Sequence, residues 1–275
     1  MILRKSKKVR VYPCSLAPEG VSASHSQRCE MKTWIFLSAH FDDVVLSAGG
    51  LVWELTRRGE RVEIWTICAG DPPAGRPLTE YAQLLHGFWD IGDDVPRKRN
   101  LEDAACCAVL GAAFRRCTVP DNIYRYLPGS DEPIIKENED QFEPLEPDEA
   151  YLIPLVADFI RTHLPAICEL VAPLGIGSHR DHILTRRAAE QAGLPLWHYA
   201  DYPYLIYGEH SLADWIPVEA ETFSLEISTA GLKAWQDGFA CQRSQIPLLF
   251  VDEDDMRASV ERYLMNGYGY TLWRF

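Results

Sequence analysis

Two short clusters carry the residue types that do chemistry. In the first, an apolar strand-like run, Trp34-Ile35-Phe36-Leu37, leads through Ser38-Ala39 to His40, one spacer and the adjacent carboxylates Asp42 and Asp43. A stretch rich in small and apolar residues follows, including Gly49-Gly50, and reads as a helix. The second cluster, His179-Arg180-Asp181-His182, follows the apolar run Ala166 to Pro173 and the turn Leu174 to Ser178, and it too enters a helix. A single His near a carboxylate is more often a hydrogen-bonded pair than a metal ligand. Two such clusters at strand-to-helix junctions change the balance. Together they offer two imidazoles and one carboxylate, a set that catalytic zinc uses while keeping a position open for water. The remaining carboxylate and imidazole are what general base and general acid catalysis require.

The elements that must position these clusters alternate between strand and helix. Strands are expected over about Thr33 to Ala39, Arg61 to Ala69, Phe114 to Val119, Ala166 to Pro173, Leu196 to Tyr199 and Thr222 to Ile227. Helices are expected from about Asp43 to Arg58, Arg97 to Leu110, Asp148 to His163, Ile183 to Ala192, Ala230 to Gln242 and Asp254 to Met265. Gly59 and Gly193 stand where C-caps belong. On the second helix Leu101, Ala104, Ala105, Ala108 and Val109 read as the apolar face. Residues 71 to 96, with their Pro, Gly and aromatic content, suit a long connection over the mouth of a site. Residues 131 to 149 hold nine acidic side chains against Lys136 and read as a solvated loop, with a lid over the site as the other reading.

This alternation predicts an α/β fold: a Rossmann-like, doubly wound, mostly parallel sheet with helices on both faces. In such a sheet the carboxyl ends of the strands face the ligand crevice, where both clusters would project. Neither Gly49-Gly50 nor Gly175-Ile176-Gly177 completes a dinucleotide fingerprint.

Composition narrows the function. With 47% apolar residues the 275-residue chain can bury a sizeable core. A net charge of -13 disfavours a nucleic-acid partner, which would call for a basic stripe, and favours a small-molecule ligand. No apolar run approaches the roughly 18 to 20 residues that cross a bilayer, so no transmembrane segment is expected. The eight cysteines show no C-x-x-C pair and no regular spacing, which fits a reducing cytoplasm. Residues 1 to 30 carry a charge of +4 and lack periodicity, so they are expected to be a disordered extension ahead of a domain over 31–275, or an upstream start ahead of Met31.

The chain resembles the LmbE-like, PIG-L family of zinc-dependent N-acetylglucosamine de-N-acetylases. Ala39-His40-Phe41-Asp42-Asp43 with Gly49-Gly50, and His179-Arg180-Asp181-His182, stand where the family has Ala-His-Pro-Asp-Asp and His-Pro-Asp-His. Arg99, Glu102, Leu110-Gly111 and Ser244-Gln245 resemble further family positions. The resemblance implies Zn2+ held by His40, Asp43 and His182, with Asp42 as general base and His179 as general acid. It further implies that Asp181 orients His179 or another site imidazole, with simple helix capping as its other reading, and that Arg99 and Asp121 contact substrate. The implied reaction removes an acetyl group from an N-acetylamino sugar or glycoconjugate. Phe41 and Arg180 replace both motif prolines, which leaves a binding relative of weak or no activity as the alternative.

Overall fold

Strand β1 (Thr33–Ser38) alternates its side chains between two cores, Trp34 and Phe36 into one and Ile35 and Leu37 into the other, so it is buried on both faces. That is the signature of a central parallel strand. The computed structural model describes residues 32–275 apart from Ile91, Asp93, Glu146, Gly208 and Glu209, and the expectation for residues 1 to 30 lies outside the described residues. After β1 come α1 (Asp43–Arg57), β2 (Arg61–Thr66), α2 (Glu80–Trp89), α3 (Val95–Leu110) and β3 (Ala113–Arg116). Then follow α4 (Leu152–His163), β4 (Cys168–Pro173), α5 (Arg180–Ala192), β5 (Leu196–Tyr199) and α6 (Tyr204–Tyr207). The chain closes with β6 (Glu221–Ser224), α7 (Thr229–Phe239), α8 (Ile246–Leu249), α9 (Glu253–Met265) and β7 (Thr271–Arg274).

The sheet order is β3-β2-β1-β4-β5-β7-β6. The first five strands are parallel, and β7 runs antiparallel to both its neighbours. Helices α1, α3, α7 and α9 cover one face and α4 and α5 the other, which is the doubly wound, mostly parallel arrangement expected. Winding goes outward from β1 through β2 to β3, then returns to place β4 on the other side of β1 with Thr33 opposite Cys168 and Phe36 opposite Val171. The reversal therefore falls between β1 and β4, where a doubly wound sheet opens its crevice.

Three expectations need correction. Residues 71 to 96 contain α2, started by the Thr79 hydroxyl, which accepts from Ala82 N and donates to the Ile123 carbonyl. The buried stripe of α3 is Val95, Arg99, Asp103, Cys106, Cys107 and Leu110, whereas Leu101 is 60% exposed and Val109 is also exposed. Polar partners decide this: Arg99 is drawn to Asp42 and Asp121, and Asp103 to Arg116. Finally, β7 lies beyond the last element that the pattern predicts, and it links the short β6 to the parallel strands.

One packing contact ties the start of α1 to the C-terminal part of the chain. Ala48 leaves helical geometry (φ -146°, ψ 17°), and the Trp235 indole donates to the Val45 carbonyl at 2.7 Å. The Trp235 ring lies so close to α1 that a Cβ on Gly49 or Gly50 would sit 2.5 or 2.7 Å from it. This explains the glycine pair on the helix that begins with Asp43. Gly49→Ala is expected to destabilise the fold by about 1–3 kcal/mol through overpacking. In a chain of this size that lowers Tm by a few degrees to about 10 °C. A thermal unfolding curve superimposable on that of the parent would show that Trp235 moves aside freely.

Candidate metal and catalytic site

The turn after β1 is fastened by Ser38, whose hydroxyl donates to the His40 carbonyl at 2.5 Å and accepts from Val44 N at 3.1 Å. The same turn folds Asp43 back, so that its Oδ2 accepts from His40 N at 2.6 Å and lies 3.4 Å from His40 Nδ1. Across the β1/β4 crevice, His179 caps the N-terminus of α5, its Nδ1 accepting from Asp181 N at 3.3 Å. One turn into α5, His182 Nε2 stands 3.3 Å from Asp43 Oδ1. Asp43 thus faces one imidazole from each cluster, and the ring centres of His40 and His182 are 5.6 Å apart.

Every imidazole here has its orientation set by a second contact. His182 Nδ1 bonds Asp201 Oδ1 at 2.7 Å, and Asp201 Oδ2 is itself held by the N–H groups of Gly175 and Ile176. His40 Nε2 is 3.2 Å from Asp181 Oδ2, and Asp181 is pinned in turn by Asn122 N at 3.0 Å and by the Arg125 guanidinium. With Nδ1 accepting from Asp181 N, neutral His179 carries its proton on Nε2, which faces Gln141 Oε1 at 3.3 Å. The Asp181 carboxylate therefore contacts His40 and not His179; only its backbone N reaches His179.

Charge in this buried site is strongly structured. Burial opposes a proton on His40, but Asp121 and Asp43 outweigh it and hold its pKa well above the usual imidazole value. For His182 burial is likewise overcome, and Asp43 and Asp201 push it up to about 10. Burial would raise Asp43, yet His182 and His40 hold it well below the usual carboxylate range. Asp42 moves the other way: burial and the neighbouring Asp43 charge raise it, against Arg99, whose Nη2 lies 3.4 Å from Asp42 Oδ1. His179 is held well below the ordinary value by burial and by His40 and His182. Two adjacent carboxylates thus acquire opposite tendencies, which is how one site obtains both a permanent anion and a proton acceptor.

The donor set fits a divalent cation. Among the described residues, two groups bring ligand atoms within 4.8 Å of one another: His40 with His179 and His182, and His40 with Asp121 and Asp181. The carboxylate field that pulls protons onto His40 and His182 is the field a metal ion would satisfy in their place. All eight residues singled out from sequence meet here. Arg99 reaches Asp42, with Nη1 3.8 Å from Asp121, and Asp121 Oδ1 lies 3.9 Å from His40 Nε2. Sequence reasoning missed Asp201, Arg125, Glu149 and Gln141. Of these Asp201 was within reach, since it stands at the carboxyl end of β5, beside β4.

The chain is similar to known proteins in sequence and in fold. The PIG-L family, described as GlcNAc-PI de-N-acetylase, matches residues 35–193. A 2'-N-acetylparomamine deacetylase of Niallia circulans is 26% identical over 195 residues, covering 64% of this chain and 68% of its own. The solved zinc-inhibited form of a teicoplanin deacetylase is similar with a TM-score of 0.74 and 26% identity, covering 88% of this chain and 97% of the other. A deacetylase–teicoplanin complex is similar with a TM-score of 0.71 and 25% identity over the same shares.

Asp201→Asn tests the support given to His182. The change is nearly isosteric but removes the charge behind the imidazole, and it is expected to weaken divalent-metal affinity about 10- to 100-fold. Chelator competition on folded protein reads this directly. Unchanged affinity would detach Asp201 from metal binding.

Proposed function

The chain belongs to the PIG-L family of GlcNAc-PI de-N-acetylases, and from that premise we propose that it is a zinc-dependent amidohydrolase that removes the acetyl group from an N-acetylglucosamine-type amino sugar. The observation that carries the proposal is Asp43 lying between His40 and His182, with Asp42 beside it and His179 grouped with both imidazoles, its ring centre 4.9 Å from that of His40. Similarity to a 2'-N-acetylparomamine deacetylase and to a teicoplanin deacetylase supports the reading. Small-molecule conjugates are the partners this implies.

In this reading His40, Asp43 and His182 would hold zinc. Zinc bound there would lower the pKa of a water and polarise the acetamide carbonyl. Asp42 takes the proton of the attacking water, and the Arg99 guanidinium 3.4 Å away opposes the upward pull of burial and Asp43 on that carboxylate. His179 would pass a proton from Nε2 to the departing amine; it does so from the imidazolium state, in which Nδ1 also carries a proton and the contact with Asp181 N is given up. Asp181 and Asp201 fix the ring planes of His40 and His182.

The alternative, a binding relative of weak activity, drew on the two replaced prolines. No contact among the described residues favours it: Phe41 and Arg180 are both buried, and the turns that carry His40 and His179 keep the bonds made by Ser38, Asp43 and the His179 cap. For location, no helix among the described residues is long and apolar enough to cross a membrane. The six described cysteines are free, and a cytoplasmic setting accords with that.

Substitution at the two neighbouring aspartates separates the roles. Asp43→Ala is expected to lose most bound zinc. Asp42→Asn should keep zinc and lose about 100- to 10,000-fold in acetate release from N-acetylglucosaminides, the range general base catalysis supplies. His182→Ala should follow Asp43→Ala, and His179→Ala should follow Asp42→Asn. The reverse pattern, with zinc lost from Asp42→Asn and kept in Asp43→Ala, would sink the assignment.

A further inference from the structure

Arg180 stands where the family motif has proline, and its side chain is 2% exposed. Its Nη1 donates to Glu149 Oε2 at 2.9 Å and its Nη2 to the Asp140 carbonyl at 3.0 Å. Both acceptors belong to the acidic stretch 131 to 149, read from sequence as a solvated loop. The stretch is largely exposed outward, yet Arg180 clamps it to the helix that bears His179. Glu149 is completed on its other oxygen by Arg125 Nη1 at 2.9 Å, so the clamp is a buried ion network and not a surface pair.

The clamp presents one tight turn to the site. The Asp140 carboxylate gathers the N–H groups of Lys136 and Glu137 at 2.8 and 3.1 Å and so winds the 3-10 turn Asn138–Phe142. From that turn Gln141 reaches His179, and its Nε2 donates to Tyr81 Oη at 3.0 Å and to Asn138 Oδ1 at 3.2 Å. Phe142 follows, 37% exposed, its ring centre 5.6 Å from His179 and 6.0 Å from Tyr204. Both contacts are close to perpendicular, at 89° and 79°, so neither ring lies flat on a face of Phe142.

A pyranose offers an apolar face of ring C–H groups and a rim of hydroxyls. A partly open aromatic ring beside a cluster of amide and phenol groups is the complement of that shape. We propose that the turn Asn138–Phe142 is the sugar-recognition wall of this enzyme, with Phe142 packing on the pyranose face, Gln141, Tyr81 and Asn138 bonding its hydroxyls, and Arg180 acting as the positioning residue that docks the wall. The inference rests on the amino-sugar reading above and names the residues that choose the substrate.

The test uses the zinc-loaded full chain with N-acetylglucosamine as binding probe and an N-acetylglucosaminide as substrate. Phe142→Ala, a surface change, is expected to weaken binding and raise KM about 10-fold, equivalent to ~1.4 kcal/mol of lost apolar contact, with kcat falling much less. Arg180→Pro restores a residue that a helix tolerates in its first turn. It should raise KM as much and also speed protease cleavage within 131–149, which Phe142→Ala leaves slow. Arg180→Lys keeps the charge but not the fork, and should recover part of both losses. Unchanged binding and KM in Phe142→Ala overturns the wall even if Arg180→Pro fails to fold, as does absence of binding to the parent protein at tens of millimolar. Binding without acetate release would instead sink the hydrolase reading and leave the wall standing.

Discussion

The pairing of β1 with β4 is the constraint on which the rest depends. The two clusters are separated by more than a hundred residues, and each alone is a His beside a carboxylate. Parallel pairing in the observed register sets the carboxyl ends of both strands side by side, so the turns that follow open into one crevice. Right-handed crossovers through helices on both faces make this the point where winding reverses. Trp235 then locks the first of those helices: its indole bonds the Val45 carbonyl and its ring fills the space left by the glycine pair. The C-terminal third of the chain thereby fixes the helix whose first residue is Asp43.

What the crevice holds is a problem of buried charge. Asp42, Asp43, Asp121, Asp181 and Asp201 face His40, His179 and His182, with Arg99 and Arg125 as the permanent cations. Isolated carboxylates at this depth would take up protons to escape the cost of burial. Asp43 avoids that because two imidazoles flank it, and Asp181 because Arg125 and His40 do. Asp42 has Arg99 and His40 to offset burial and the Asp43 charge, and the balance leaves it disposed to accept a proton. The division of labour between adjacent aspartates therefore follows from which neighbours each one faces.

Much of this was legible because motif and period coincide. The strand-to-helix junctions at His40 and His179 follow from apolar runs that stop at polar clusters, and a mostly parallel sheet from repeated alternation. The errors share a cause. On α3 the side chains turned inward include Arg99 and Asp103, because Asp42, Asp121 and Arg116 await them, and a count of apolar residues assigns that face to solvent. Helix α2 hides between a Pro- and Gly-rich approach and an Asp-rich exit, and its start depends on Thr79 bonding the distant Ile123 carbonyl. Asp201 looks like one acid in an aromatic turn until β5 is known to lie beside β4. Tertiary partners settle each of these positions, and local pattern does not contain them.

The two departures from the family motifs follow the same logic. Proline at either place would stiffen the turn and contribute little more. Phe41 instead lays its ring 5.3 Å from the Arg99 guanidinium, which also meets Trp89 at 4.5 Å, so the cation that opposes Asp42 protonation is held by two aromatic rings. Arg180 reaches Glu149 and Asp140, and so attaches a wall to the helix of His179. Backbone restriction by proline is replaced at each turn by hydrogen bonds already present, from Ser38 and Asp43 in one and from the His179 cap in the other. The freed side chains hold two different parts of the site, Phe41 the Arg99 guanidinium and Arg180 the stretch that carries Gln141 and Phe142. Substitutions that loosen a motif on paper are here the contacts that tie the chemistry to what surrounds it.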